Sequence, residues 1–313
     1  MKADHILVPD GHWTDHEDHI LLTPPSVFSF EHTLGYLERS SNECMFHVEN
    51  KAIYKLIPIE DSQVLVQITK AEDNLLKIRF LGDVPPEALE RAAAIHYVWE
   101  WFDLGTNLEP FYQIAEHDSL LGSVVQQFRG LRIVGIPDLF EALCWGILGQ
   151  QINLAFAYTL KRRVVETFGQ SANWNGQPYW IFPTPEAIAK LTVADLTPLQ
   201  LTSKKAEYLI GVAKLISEGQ LSKEMLLQLK DPKAIEKQLV QIRGIGPWTA
   251  NYVLMRCLKA PSAFPIEDVG LHNAVKQLMG LPNKPSLEKL KQLSAPWGDW
   301  KAYATFYLWR TIY

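Results

Sequence analysis

Asp268 stands in FPIEDVGL (264–271), where the chain enters a helical pattern. Aspartate is a good N-cap, and a lone one at such a point needs no further explanation. Its company asks for more. Upstream, QIRGIGPWTANY (241–252) places Gly244-Ile245-Gly246-Pro247 between two apolar helical patterns, with Trp248 and Tyr252 at i and i+4 on one face of the second. Downstream, Trp297, Trp300, Tyr303, Tyr307 and Trp309 crowd the C-terminal helical pattern. Aromatic residues at helical spacing ordinarily make core. A carboxylate facing such a cluster instead makes a pocket for a flat, cationic group.

The elements that must position these residues follow from local rules. Lys233 to Ile242 reads as one helix and Pro247 sits where the first position of the next should be, so residues 233–258 read as a helical hairpin. The intervening Gly244 and Gly246 can take backbone angles closed to other residues. The second helix then offers unpaired amides beside residues without side-chain bulk, an arrangement suited to a phosphate oxygen. A plain glycine turn between helices explains the glycines alone equally well.

Around this core of motifs the chain divides. From Cys44 to Phe80 the runs MFHVE, AIYKLIPI, SQVLVQIT and LLKIRF, separated by polar turns, read as antiparallel strands. Pro85-Pro86 opens an amphipathic helix to about Phe102, and from Asp138 onward almost every segment reads as helix. We therefore expect an α+β protein: an N-terminal antiparallel-sheet α/β domain (1–112) followed by an all-helical domain (113–313). Charge divides in the same way. The net charge is -5, yet residues 1–120 carry 21 Asp+Glu against 8 Lys+Arg, and residues 121–313 carry 14 against 22. The basic second part permits a phosphate-binding surface despite the acidic total.

Other classes are disfavoured. No apolar run is long enough to span a bilayer and the N-terminus lacks a signal-peptide pattern, so no membrane association and a cytoplasmic location are expected. Cys44, Cys144 and Cys257 are odd in number and far apart, which argues for buried thiols rather than disulfides or a cysteine-held metal. His5, His12, His16 and His19 are irregularly spaced among acidic residues in a segment read as a flexible tail, which speaks against metal ligation.

Taken together, QIRGIGPWTANY, the following FPIEDVGL and the preceding ILGQQINLA (147–155) resemble the helix-hairpin-helix DNA glycosylases, most of all the bacterial DNA-3-methyladenine glycosylase II branch. The resemblance covers nearly the whole chain. It implies that Asp268 is the catalytic carboxylate and that Trp248, Tyr252 and Trp309 line the base pocket, with Tyr36 in LGYL contributed by the N-terminal domain. It implies that Gln150 and Gln151 belong to the loop that enters the minor groove. Where relatives carry an apolar wedge this chain has Gln151, so either Gln151 fills the gap left by the flipped nucleotide or Ile152 is the wedge. Relatives hold a monovalent cation on hairpin carbonyls, which here would be those of Val240, Ile242 and Gly244.

Departures narrow the expected chemistry. Relatives that also cut the backbone carry a lysine where Trp248 stands, and others carry four C-terminal cysteines for an iron–sulfur cluster, whereas residues 258–313 contain none. The expectation is a monofunctional enzyme that removes alkylated bases from double-stranded DNA. It requires no dissociable cofactor and acts as a monomer. A bifunctional oxidised-guanine glycosylase/lyase and a noncatalytic hairpin DNA-binding protein are the alternatives.

Overall fold

In the computed structural model the described residues are 8, 9, 11–60 and 62–312. His5 lies outside them. A six-stranded antiparallel sheet is built from β1 (Trp13–Asp15), β2 (His19–Leu22), β3 (His47–Glu49), β4 (Ala52–Ile59), β5 (Ser62–Lys70) and β6 (Leu76–Leu81), in the order β1-β2-β6-β5-β4-β3. The β3–β4 register pairs Glu49 with Ala52, leaving a two-residue loop. Asn50 and Lys51 both have positive φ (51° and 60°), the primed turn that matches strand twist. One face of the sheet supplies core through Ile53, Ile57, Val66, Ile68, Leu76 and Ile78. Between β2 and β3 lies α1 (Phe30–Leu37), and after the sheet comes α2 (Ala88–Trp101).

The rest is mainly helical. It begins with α3 (Glu109–Glu116), α4 (Gly122–Gln127), α5 (Leu139–Leu148) and α6 (Leu154–Phe168), and continues with α7 (Pro185–Ala189), α8 (Val193–Leu196), α9 (Ser203–Ser217) and α10 (Lys223–Gln228). The chain closes with α11 (Pro232–Leu239), α12 (Pro247–Arg256), α13 (Val269–Leu278), α14 (Leu287–Ser294) and α15 (Lys301–Trp309). Every residue of α5 is buried and all but Glu141 are non-polar, so it is an axis about which other helices pack. At Gly146 on α5 a Cβ would stand 2.4 Å from Thr249 Cγ2, so glycine is what lets α12 lie against α5. One hydrophobic cluster runs from Val8 through α5 and α12 to Trp309.

Two expectations need correction. The helical part is not all-helical: β7 (Gln170–Trp174) and β8 (Gln177–Ile181) form a hairpin between α6 and α7. Its turn, Asn175-Gly176, has φ of 50° and 78°. Tyr179 and Ile181 cover Leu56 and Leu65 on the far face of the N-terminal sheet, so burial, and not local propensity alone, holds the hairpin there. The segment that carries His12, His16 and His19 is also not a tail. His16 and His19 stack at 4.7 Å beside β1 and β2, and His12 meets the Trp99 ring edge-on at 5.5 Å.

The sheet part and the helical part are joined electrostatically as well. Lys161 of α6, buried, donates to Glu141 of α5 (2.9 Å) and reaches Glu43 of the N-terminal part (3.3 Å). Opposite charges this far from water must be paired, and this one cation serves two carboxylates.

Candidate active site

The turn between α11 and α12 is fixed by glycine at one position. Gly244 has φ +96°, and a Cβ there would stand 2.3 Å from Tyr208 Cγ, so both backbone angle and space exclude a side chain. Gly246 differs from expectation. It caps α12 with ordinary extended angles (φ −93°, ψ 175°), and a Cβ would meet nothing within 4 Å. What glycine leaves at 246 is open space, not an unusual angle. No side chain caps α12, Pro247 has no N–H, and the next amides of the first turn are left without a side-chain acceptor.

Trp248 and Tyr252 do share one face of α12, with rings stacked at 5.4 Å and 27°. Asp268 is the N-cap of α13 and its carboxylate collects three donors. Leu271 N–H and Trp309 Nε1–H donate to Oδ1, each at 2.8 Å, and Trp248 Nε1–H donates to Oδ2 at 3.1 Å. One carboxylate therefore ties together α12, α13 and α15 and turns the edges of two indoles toward itself. The Tyr252 ring lies 6.4 Å from Trp309, completing the cluster. Neighbouring Glu267 is exposed and lines a groove beside α11 and α12 that Trp248 lines as well. The strap that ends in Asp268 is braced twice: Phe264 N–H donates to Asn251 Oδ1 (2.9 Å), and the His272 ring reaches Ile266 O (3.0 Å) and Pro285 O (3.1 Å).

Tyr36 is brought to the cluster from behind. Arg256, buried on α12 one turn beyond Tyr252, donates through Nη1 to both the Tyr36 hydroxyl (2.8 Å) and the Tyr252 hydroxyl (2.9 Å), and through Nε to Val134 O (2.6 Å). The Arg39 guanidinium lies 3.9 Å over the Tyr36 ring. Burial pushes the Tyr252 phenol well up from its ordinary value, although Arg256 pulls the other way. Arg256 was missed in the sequence; the signal was an arginine in an apolar helix at i+4 from Tyr252 and i+8 from Trp248. Gly270 was missed too: a Cβ there would lie 2.9 Å from Asp268 Oδ1 and 3.1 Å from Trp309 Nε1, so a side chain would push the carboxylate or the indole aside.

The loop between α5 and α6 carries the remaining candidates. Gln151 is exposed with φ +56°, while Ile152 is half-buried against the core. Gln150 points elsewhere: its Nε2 donates to Gly244 O at 2.8 Å. That bond bears on the cation expected on the carbonyls of Val240, Ile242 and Gly244. Ile242 O also accepts, from Ile245 N–H at 3.0 Å. Two of the three oxygens thus already accept one hydrogen bond each, and each keeps a second lone pair.

The chain compares with known proteins along its whole length. The family model described as HhH-GPD superfamily base excision DNA repair protein matches residues 144–298, and that of the 8-oxoguanine DNA glycosylase N-terminal domain matches 20–143. A Bacillus subtilis DNA-3-methyladenine glycosylase is 51% identical over 302 residues, covering 96% of this chain and 99% of its own. Escherichia coli DNA-3-methyladenine glycosylase 2 is 32% identical, covering 79% of this chain and 81% of its own. Among solved structures, the 3-methyladenine DNA-glycosylase from Archaeoglobus fulgidus superposes with TM-score 0.79 at 25% identity, over 93% of this chain and 97% of that one. The 8-oxoguanine glycosylase/lyase of Clostridium acetobutylicum shares the fold, with TM-score 0.73 at 20% identity over 96% of each chain. The family match over residues 144–298, together with a 51% identical relative matched over 96% of this chain, means that the chain belongs to the HhH-GPD superfamily of base excision DNA repair proteins.

Proposed function

We propose that this protein is a monofunctional DNA glycosylase that excises alkylated bases, such as 3-methyladenine and 7-methylguanine, from duplex DNA by flipping the nucleotide and hydrolysing its N-glycosidic bond. The observation that carries the reading is the Asp268 carboxylate held by the indoles of Trp248 and Trp309. Such an arrangement suits a cationic base against the rings and a developing cation at the sugar beside the carboxylate. The names of the relatives support the same substrate class.

The chemistry needs little else. Extruding a nucleotide costs a few kcal/mol, less when the base is damaged. A base alkylated at N3 or N7 is positively charged, and stacking against Trp248 and Trp309 adds about 0.5–2 kcal/mol of cation–π attraction per ring. The bond from C1′ to the base breaks with its electron pair leaving on the base, which departs neutral. The sugar is left as an oxocarbenium ion beside Asp268, water adds at C1′, and its proton passes to Asp268 or solvent. Trp248 has no amine, so no Schiff base forms there and the abasic strand stays intact.

Double-stranded DNA is the partner. The uncapped amides of α12 beside Gly246 take a phosphate oxygen. Exposed Gln151, and not half-buried Ile152, fills the gap in the stack. The aromatic and carboxylate groups come from one chain, consistent with a monomer acting in the bacterial cytoplasm. Among the described residues no helix is long and apolar enough to cross a membrane. The test is release of free base from duplexes that each carry one defined lesion. Free 7-methylguanine with an uncut abasic strand is expected; strand cleavage, or release of oxidised guanine alone, would replace this reading with the bifunctional one.

A further inference from the structure

We infer that Gln150 is a positioning residue that locks the gap-filling loop to the hairpin, so that Gln151 enters the stack in register with the phosphate held at α12. The inference rests on the proposed function of the same site. Its basis is a contact across 94 residues of sequence: Gln150 Nε2 donates to Gly244 O at 2.8 Å, and stands 3.4 Å from Thr249 Oγ1 on α12. A side chain whose amide is spent on the hairpin does not lie between bases. Gln150 therefore leaves the stack to Gln151, which projects exposed from a left-handed backbone.

The ends of the loop are fixed in the same way. Lys205 Nζ donates to Leu148 O (2.7 Å) at the close of α5, and Asn153 caps α6 by accepting from Phe156 N–H (2.9 Å). The contact of Gly146 with Thr249 presses α5 onto α12 directly beneath. Gln150 is the polar link between the short segment left to move and the turn that grips the backbone. Two contacts on one duplex are made together at lower entropic cost when they are already aligned. Breaking the link should leave phosphate binding intact and weaken the flipped state.

Gln150→Met keeps the length of the side chain and removes the donor; Gln150→Asn keeps the amide but falls one methylene short. Single-turnover excision of 7-methylguanine is measured for both at saturating enzyme, with the lesion opposite cytosine and opposite an abasic-site analogue, where the stack is already broken. Loss of one hydrogen bond predicts a roughly three- to ten-fold lower rate opposite cytosine. The rate opposite the abasic analogue and the Kd for undamaged duplex should stay within about two-fold. Equal losses on both substrates would mean a purely structural role, and parent-like rates on both would mean no role; either result overturns the inference. A parent inactive on every substrate would overturn the proposed function instead. The link is then read from 2-aminopurine fluorescence beside a mismatch: a smaller enzyme-induced rise in the two variants supports it, and an unchanged rise refutes it.

Discussion

Replacing Asp268 by asparagine separates the carboxylate's charge from its hydrogen bonds. An asparagine that keeps its oxygen at the Oδ1 position still accepts from Leu271 N–H and Trp309 Nε1–H. Its amide nitrogen then replaces Oδ2 and meets Trp248 Nε1–H donor to donor. Losing that one bond costs about 1–2 kcal/mol. For a chain of this size this lowers Tm by only a few degrees, roughly 2–4 °C per kcal/mol, so the protein stays folded. The charge matters more. Removing a single preorganised donor at a developing charge typically costs about 10²–10³ in rate, or roughly 2.7–4 kcal/mol. A full carboxylate beside an oxocarbenium ion belongs at the upper end, so single-turnover release of 7-methylguanine should fall about 10³-fold, a value read against that same range. Binding to abasic-analogue duplex should hold within a few-fold, because the carboxylate acts on the sugar cation and hardly on phosphates. A folded Asp268→Asn protein that excises within ten-fold of the parent would refute the assignment.

Three further outcomes are expected. Borohydride added to the protein on an abasic duplex should trap no covalent complex, and an adduct resolved on a denaturing gel would reveal a lysine acting from elsewhere. Gly246→Asp, placed where a Cβ meets open space, should fold normally by circular dichroism. It should weaken binding to damaged and undamaged duplex alike while preserving lesion preference; unchanged binding across several salt concentrations would make the hairpin a structural turn only. Lys161→Ala leaves Glu43 and Glu141 buried without their shared cation and should destabilise the fold by about 3–5 kcal/mol in denaturant titrations. A loss under about 1 kcal/mol would mean that those carboxylates find other partners.

The parts of this site that were legible in the sequence are those set by short spacing. Trp248 and Tyr252 share a face because they are four residues apart, and Asp268 caps a helix because aspartate before an apolar helical run does so. Strands β3 to β6 showed as alternating runs. The β7–β8 hairpin also carried a signal, Asn175-Gly176, but its flanks QSANW and QPYWI alternate weakly, and the sheet face that stabilises them belongs to residues more than 100 positions earlier. The same limit hid Arg256, whose partners Tyr36 and Val134 are remote, and Gln150, whose chemistry depends on a carbonyl that no sequence pattern exposes. For Gly246 the rule about backbone angles fails because neither angle nor space demands glycine there.

The placement of charge around the aromatic cluster separates recognition from catalysis. Attraction between indole faces and a cationic base favours the flipped ground state, but it fades as the bond breaks, because the positive charge leaves the base for the sugar. An interaction that weakens on the way to the transition state aids selection and opposes the chemical step by its own small magnitude, about 0.5–2 kcal/mol. On the proposed mechanism Asp268 works in the opposite sense, gaining as charge appears at the sugar. Arg256 would add to it: buried behind Tyr252 with its guanidinium 5.4 Å from that ring, it disfavours positive charge held against Tyr252. With Tyr252 already polarised by Arg256, the ground-state attraction falls mainly to Trp248 and Trp309. Those are the two rings whose N–H groups donate to Asp268, so the residue proposed to stabilise the departing charge also orients the surfaces proposed to select it.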